Sequence, residues 1–126
     1  ICRGMQVIGA YFGAHIIQHM EGHKQKEEKN VPSHYVNVKD GTLLHKIIGE
    51  NRFKVNSYHH QAVGKGFRGT ISAVSDDGFA EAVEPDSEVF ILGVQWHPEL
   101  LTEYREHQRI FSEFIKAAAI KRRIAY

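Results

Sequence analysis

Val89-Phe90-Ile91-Leu92-Gly93-Val94-Gln95-Trp96-His97-Pro98-Glu99 runs a nearly continuous apolar stretch directly into a His, a Pro and a Glu. An apolar run without alternation predicts a strand over 89–95 that is covered on both faces, the kind found at the centre of a mainly parallel sheet in an α/β fold. Pro98 disfavours a helical conformation for His97, and residues two apart in an extended segment project to the same side. Glu99 is thereby placed to orient the His97 imidazole. A His held by a carboxylate at the end of a central strand suits activation of a nucleophile, and open α/β sheets carry their sites at that edge. Two polar residues in a surface loop would give the same letters, but the apolar run feeding them weakens that reading.

The only Cys of the chain lies at its other end, in Ile1-Cys2-Arg3-Gly4-Met5-Gln6. Val7, Ile8, Tyr11 and Phe12 follow at helical spacing, predicting a helix that buries that face and places Cys2 where a strand turns into a helix. Ile1 reads as the last residue of a buried strand. Residues 1–126 are therefore expected to be the C-terminal part of a single domain whose N-terminal half is absent. A thiol at such a turn sits at the positive end of a helix dipole, which favours the thiolate, and Gly4 would allow the tight backbone path. The Arg3 backbone N–H would face the attacked carbon as half of an oxyanion hole. Taken by itself, Cys2 fits a small buried apolar residue at a helix start better than a nucleophile. His97 and Glu99 bring a Cys-His-Glu triad level with that reading.

Between these ends the pattern alternates between helix and strand. The helical pattern weakens after Gly13, and residues 24–30 are almost wholly charged or amide-bearing, as in a solvated loop. Residues 35–39 alternate as a strand, and Thr42 can cap a short helix carrying Leu43, Leu44, Ile47 and Ile48 that Gly49 stops. A short strand over 53–55 leads into the polar loop Asn56-Ser57-Tyr58-His59-His60-Gln61. Strands over 70–75 and 79–84 are joined by Asp76-Asp77-Gly78, strong hairpin chemistry. A last helix over 103–121 is expected to bury Tyr104, Phe111, Phe114, Ile115 and Ala118, with Lys121, Arg122 and Arg123 as a solvated end that suits the dipole.

Composition fits an ordinary globular domain: 126 residues, 42% hydrophobic and 25% charged. Sixteen Lys and Arg against fifteen Asp and Glu give a formal net charge of +1, which does not suggest a nucleic-acid or acidic-membrane partner. No apolar run approaches the roughly 20 residues that span a bilayer, and no secretory leader is visible. A cytoplasmic location is the expectation. A single Cys excludes an internal disulfide framework.

Five collinear stretches resemble the class I glutamine amidotransferases, and within them the γ-glutamyl-γ-aminobutyrate hydrolase family of cysteine peptidases. They are Ile1-Cys2-Arg3-Gly4-Met5-Gln6, Pro32-Ser33-His34, Val55-Asn56-Ser57-Tyr58-His59-His60-Gln61, Asp77-Gly78 with Glu81-Ala82, and Gly93-Val94-Gln95-Trp96-His97-Pro98-Glu99. The resemblance implies a three-layer α/β/α sandwich of the flavodoxin-like type, of which this chain would be the C-terminal half. It implies Cys2 as nucleophile, His97 as general base and acid, and Glu99 as the carboxylate that orients His97. Gln6 and the residues around His60 and Gln61 would hold the γ-glutamyl head of the substrate, with His59 and His60 shaping the pocket. It further implies a γ-glutamyl-thioester intermediate and no metal or organic cofactor. Where the family has Gly-Gly-Ser/Thr-Leu followed by Gln-Asp, this chain reads Gly13-Ala14-His15-Ile16-Ile17-Gln18-His19, so packing beside the substrate is expected to differ.

The partners expected are a small γ-glutamyl amine and the absent half of the domain, with a homodimer compatible with this reading. Three functions remain open: hydrolysis of γ-glutamyl amines in amine or polyamine catabolism, a glutaminase supplying ammonia to a synthase, and a non-catalytic binding module of the same fold. His15, His19 and His23, spaced by four, could line a helix face as metal ligands, but Gly22 and the lack of a nearby Cys or carboxylate cluster speak against it. No metal site is expected.

Overall fold

The computed structural model describes residues 1–124, with side chains through Ile120. Helix α1 (Arg3–Tyr11) is followed by strands β1 (Ile16–Ile17) and β2 (His34–Val38), then helix α2 (Leu43–Ile48). Strands β3 (Arg52–Val55), β4 (Ala62–Val63), β5 (Gly69–Ser75), β6 (Ala80–Pro85) and β7 (Gly93–Val94) follow, and helix α3 (Arg105–Ile124) closes the series. Five strands form a sheet in the order β3-β2-β5-β6-β7, while β1 and β4 pair separately.

Alternation along the strands divides two apolar layers. On β6, Ala82 joins Val36, Leu44, Ile48, Trp96, Leu101 and Ile110 beneath α2 and α3. Its neighbour Val83 packs with Met5, Val63 and Ala80 beneath α1. Successive side chains of a strand face opposite sides, so helices cover both faces and the α/β class with a layered sandwich is present. Strand direction differs from the expectation of a mainly parallel sheet. Every strand pair among the described residues is antiparallel. The connections explain it, because parallel neighbours need a long crossover whereas Asp76-Asp77-Gly78 turns β5 back onto β6 at once. Gly78 takes φ 86 there, a left-handed conformation that favours glycine.

Three expectations of local burial are corrected. The strand expected over 89–95 pairs only at Gly93–Val94, at the edge of the sheet, and Val89 is exposed. On α1 the buried residues are Met5 and Gly9, four apart, while Val7 and Tyr11 face outward. The helix lies so close to the sheet that a Cβ on Gly9 would stand 2.7 Å from Val63. On α3 the buried residues are His107 and Ile110, whereas Phe114, Ile115 and Ala118 are exposed, as is Tyr104 just before the helix. Helical spacing identifies a stripe but not how far along the helix the sheet reaches. The expected roles of Lys121, Arg122 and Arg123 fall outside the described side chains.

A hydroxyl and a glycine set the α2 boundaries as expected. Thr42 Oγ1 accepts from the His45 amide at 3.1 Å, and Gly49 closes the helix at φ 78. A second cap comes from across the sheet: both carboxylate oxygens of Glu84 accept from the Leu43 and Leu44 amides, at 3.0 and 2.8 Å. The first-turn donors that a helix leaves unpaired are thus satisfied by one local and one distant side chain.

Candidate active site

Cys2 precedes α1 with φ 48 and ψ −106, the sole non-glycine positive φ among the described residues. Such a conformation costs on the order of 1–3 kcal/mol and persists where surrounding contacts impose it. Here the Cys2 amide donates to Val94 O at 2.8 Å, and the Gly4 amide returns to Ile1 O at 2.8 Å. The strain expected at Gly4 therefore sits on Cys2 itself; a Cβ on Gly4 would meet nothing within 4 Å. As the first helical residue, Arg3 has no preceding turn to accept its N–H. That donor is available for an oxyanion.

The bond from Cys2 to Val94 brings the elbow to β7, the strand that leads to His97. Beyond β7 the chain enters a 3-10 turn, Pro98–Leu100, with Pro98 at its first position. His97 Nδ1 and Glu99 Oε1 stand 2.6 Å apart. With Nδ1–H donating to the carboxylate, Nε2 carries the lone pair needed to take a proton. Asn56, fully buried, holds His97 from both sides: its Oδ1 accepts the His97 amide at 2.8 Å and its Nδ2 donates to His97 O at 3.1 Å. A third bond, Asn56 Nδ2 to Lys29 O at 2.9 Å, ties the same side chain to the 24–30 loop.

Cys2, Arg3, Gln6, His59, His60 and Gln61 line one small cleft together with Tyr58. The sequence-predicted nucleophile and substrate residues are thus gathered in one place. His97 and Glu99 pair with one another but stand outside that lining, and the Cys2 thiol takes its hydrogen bond from Gln95 Nε2, at 3.5 Å, rather than from His97. Gln95 is fully buried and escaped the sequence reading, since an amide at the end of an apolar strand has no distinguishing pattern. It also accepts from Gln6 Nε2 at 3.2 Å, while Gln6 Nε2 approaches Gln61 O at 3.1 Å. Gln61, Gln6, Gln95 and Cys2 form one connected polar row.

His59 is turned inward. Its Nδ1 meets Gln61 O at 2.9 Å, and its Nε2 faces His23 Nδ1 at 3.2 Å. Glu81 lies beside them, fully buried, with Oε1 3.2 Å from His23 Nδ1 and 3.7 Å from His59 Nε2. Burial would raise the Glu81 carboxyl, yet the His23 and His59 imidazoles hold it below its ordinary value. His23 is raised: burial opposes its charge, and the Glu81 and Asp77 carboxylates outweigh that. This group went unseen because its members come from three distant segments. The helix face imagined for His15, His19 and His23 does not exist, since residues 14–23 form a short strand and loops, with His15 and His19 exposed.

A family comparison decides what this arrangement belongs to: the peptidase C26 family model matches residues 1–99. The chain is a member of the peptidase C26 family. Among curated relatives, an Escherichia coli γ-glutamyl-γ-aminobutyrate hydrolase, PuuD, is 37% identical over 131 residues, covering 93% of this chain and 52% of that protein. A Schizosaccharomyces pombe protein named a putative glutamine amidotransferase is 36% identical over 125 residues, covering 91% and 48%. A solved structure from Thermoplasma acidophilum, described as a putative component of GMP synthase, superposes with TM-score 0.74 at 21% identity over 98% of this chain and 58% of that one. The last shows the glutamine amidotransferase fold alone. This peptidase C26 member spans about half the length of the curated relatives it matches. No helix among its described residues is long and apolar enough to cross a membrane.

Proposed function

We propose that the chain carries the reacting groups of a γ-glutamyl amide hydrolase, with Cys2 as nucleophile, His97 as proton carrier and Glu99 as its orienting carboxylate. The observation that supports this best is the His97–Glu99 pair at 2.6 Å on the segment leaving β7, the strand to which the strained Cys2 elbow is bonded. His97 Nε2 takes the thiol proton as Cys2 Sγ attacks the γ-carbonyl carbon, and the Arg3 N–H receives the developing oxyanion. Collapse of that adduct breaks the C–N bond, and the proton on His97 passes to the departing amine. His97 then takes a proton from water, whose hydroxide attacks the thioester. Glutamate leaves, and the proton returns to the Cys2 sulfur. Glu99 stabilises the imidazolium at both stages.

Gln6, held by Gln61 O and Gln95 Oε1, would bind the glutamyl head together with the backbone around His60 and Gln61. The cleft measures only about 80 Å³, well below the ~300–1,000 Å³ of small-molecule sites. That shortfall and the half-length coverage support a site completed by further sequence, which would supply the second oxyanion donor and the rest of the substrate walls. Incubating the full-length protein with γ-glutamyl-γ-aminobutyrate and with glutamine, beside a Cys2→Ala variant, tests the reading. Glutamate released from the γ-glutamyl amine by the parent and not by the variant is the expected result. Glutamate from neither substrate, with the parent folded, would overturn the stand-alone hydrolase in favour of a partner-dependent glutaminase or a binding module.

A further inference from the structure

Behind the cleft, three ligand atoms converge that the proposed reaction does not use. His23 Nδ1, His59 Nε2 and Glu81 Oε1 are separated by 3.2, 3.2 and 3.7 Å, and all three residues are buried. Atoms bound tetrahedrally to a metal at about 2.0–2.1 Å lie about 3.3 Å from each other, so the triangle already has the dimensions of one face of such a site.

The outer contacts assign the tautomers. His23 Nε2 is 2.8 Å from Asp77 Oδ2, and His59 Nδ1 is 2.9 Å from Gln61 O. When those outer nitrogens donate, both inner nitrogens carry lone pairs aimed at one another and at the Glu81 carboxylate. Neither Glu81 oxygen meets hydrogen-bond geometry with any described group. Three electron-rich atoms facing one another in a water-poor interior repel unless a cation, or a proton held on His23 between the Glu81 and Asp77 carboxylates, lies between them. Carboxylate and carbonyl acceptors on the far nitrogens are also what orients metal-binding imidazoles. With neutral imidazoles, Glu81 and Asp77 place two negative charges at the cluster, which matches a divalent ion. His34 Nε2, buried and unpartnered, is 3.8 Å from Glu81 Oε1 but stands outside the three-atom cluster, so the fourth position of the site is left to water. A cavity of about 170 Å³ bordered by His23, His34, Tyr35 and Asp77 provides the access path.

We propose that His23, His59 and Glu81 form a binding site for a zinc-class divalent cation that fastens the 56–61 loop to β6 and to the segment around His23. Imidazole and carboxylate donors in a small closed site select such ions over calcium or magnesium. The role is structural: His59 and Gln61 belong to the loop that lines the cleft, so the cation holds the cleft wall in position without touching the Cys2 thiol.

The test uses the full-length protein, free of any polyhistidine tag, stripped with a chelator and titrated with Zn²⁺ or Co²⁺. Elemental analysis should find one cation per chain after gel filtration. Bound Co²⁺ should show the intense visible absorption of tetrahedral nitrogen and oxygen coordination, and the loaded protein should melt at a higher temperature than the stripped one. Glu81→Gln and His23→Gln should lose binding, and Asp77→Asn should weaken it by about 10–100-fold. Cys2→Ala should keep it in full. The proposal is overturned if the folded parent binds no cation, leaving a proton shared within the cluster as the counter-charge. Binding that survives in Glu81→Gln and disappears on replacing His19 and His60 would overturn it equally. Should Glu81→Gln or His23→Gln fail to fold, the parent titration and the exposed-side Asp77→Asn variant decide.

Discussion

Glu99 and Asn56 do different work on the same imidazole. Glu99 bonds the His97 ring, so its loss alters proton transfer, whereas Asn56 bonds the His97 backbone and sets where the ring stands. Replacing Glu99 by Gln should lower kcat/KM for a γ-glutamyl amine by roughly 10²–10⁴-fold, the usual range for acid–base groups, with little change in melting temperature. A loss below tenfold in the full-length protein would remove Glu99 from the mechanism. The pairing was legible from His97-Pro98-Glu99, although Glu99 reaches the imidazole from the 3-10 turn that begins at Pro98 and not from the extended segment expected. Asn56 and Gln95 were not, because their partners lie 41 and 93 residues away in the chain.

At the scale of elements, close approach of backbone decides more than apolar spacing does. Gly93 on β7 sits where an added Cβ would stand 2.8 Å from Val83 and 3.2 Å from Met5. Gly93→Ala should destabilise by about 1–3 kcal/mol through overpacking, and because β7 also carries the Cys2 bond it should lower activity at a temperature where the protein remains folded. Gly4→Ala, entering open space on the same helix as Met5, should leave stability intact; equal losses from both changes in urea unfolding would contradict this packing. Helix α2 offers a second comparison. Thr42→Ala should cost about 0.5–2 kcal/mol as an N-cap loss, and Glu84→Ala about 1–3 kcal/mol because two partly buried amides lose their acceptor. A Glu84→Ala effect near zero in the same unfolding measurement would mean water replaces the carboxylate. Sequence pattern announced Thr42 and Gly49, which act on their own neighbours. It was silent on Glu84, forty residues away in the next layer.

For the molecule as a whole, acid stability should depend on His107. Its ring is fully buried against Phe53 and Trp96, with Nε2 3.1 Å from Lys54 O. Burial pushes its proton affinity below the ordinary imidazole value of 6.5. The unfolded chain therefore takes up a proton as pH falls below about 6.5 while the folded chain resists it, so stability present above that pH is lost beneath it. Unfolding free energies at pH 7.5 and 5.5 should converge between parent and His107→Leu as pH falls; an unchanged difference would show that His107 does not titrate on unfolding. His107 also explains the misread α3 stripe, since the helix buries His107 and Ile110 where it crosses the sheet and leaves Phe114 and Ile115 outside. Short-range geometry was determined by the sequence itself: the His97–Glu99 pair, the hairpin at Gly78 and the Thr42 and Gly49 caps of α2. Each depends on residues within a few positions of one another, whose relative placement local dihedral preferences set. Tertiary structure alone decided strand direction, which residues of α1 and α3 are covered, the Gln61–Gln6–Gln95–Cys2 row and the meeting of His23, His59 and Glu81. Those depend on which distant segments pack together, and hydrophobic burial chooses among such packings by the total surface removed from water rather than by any local pattern of letters.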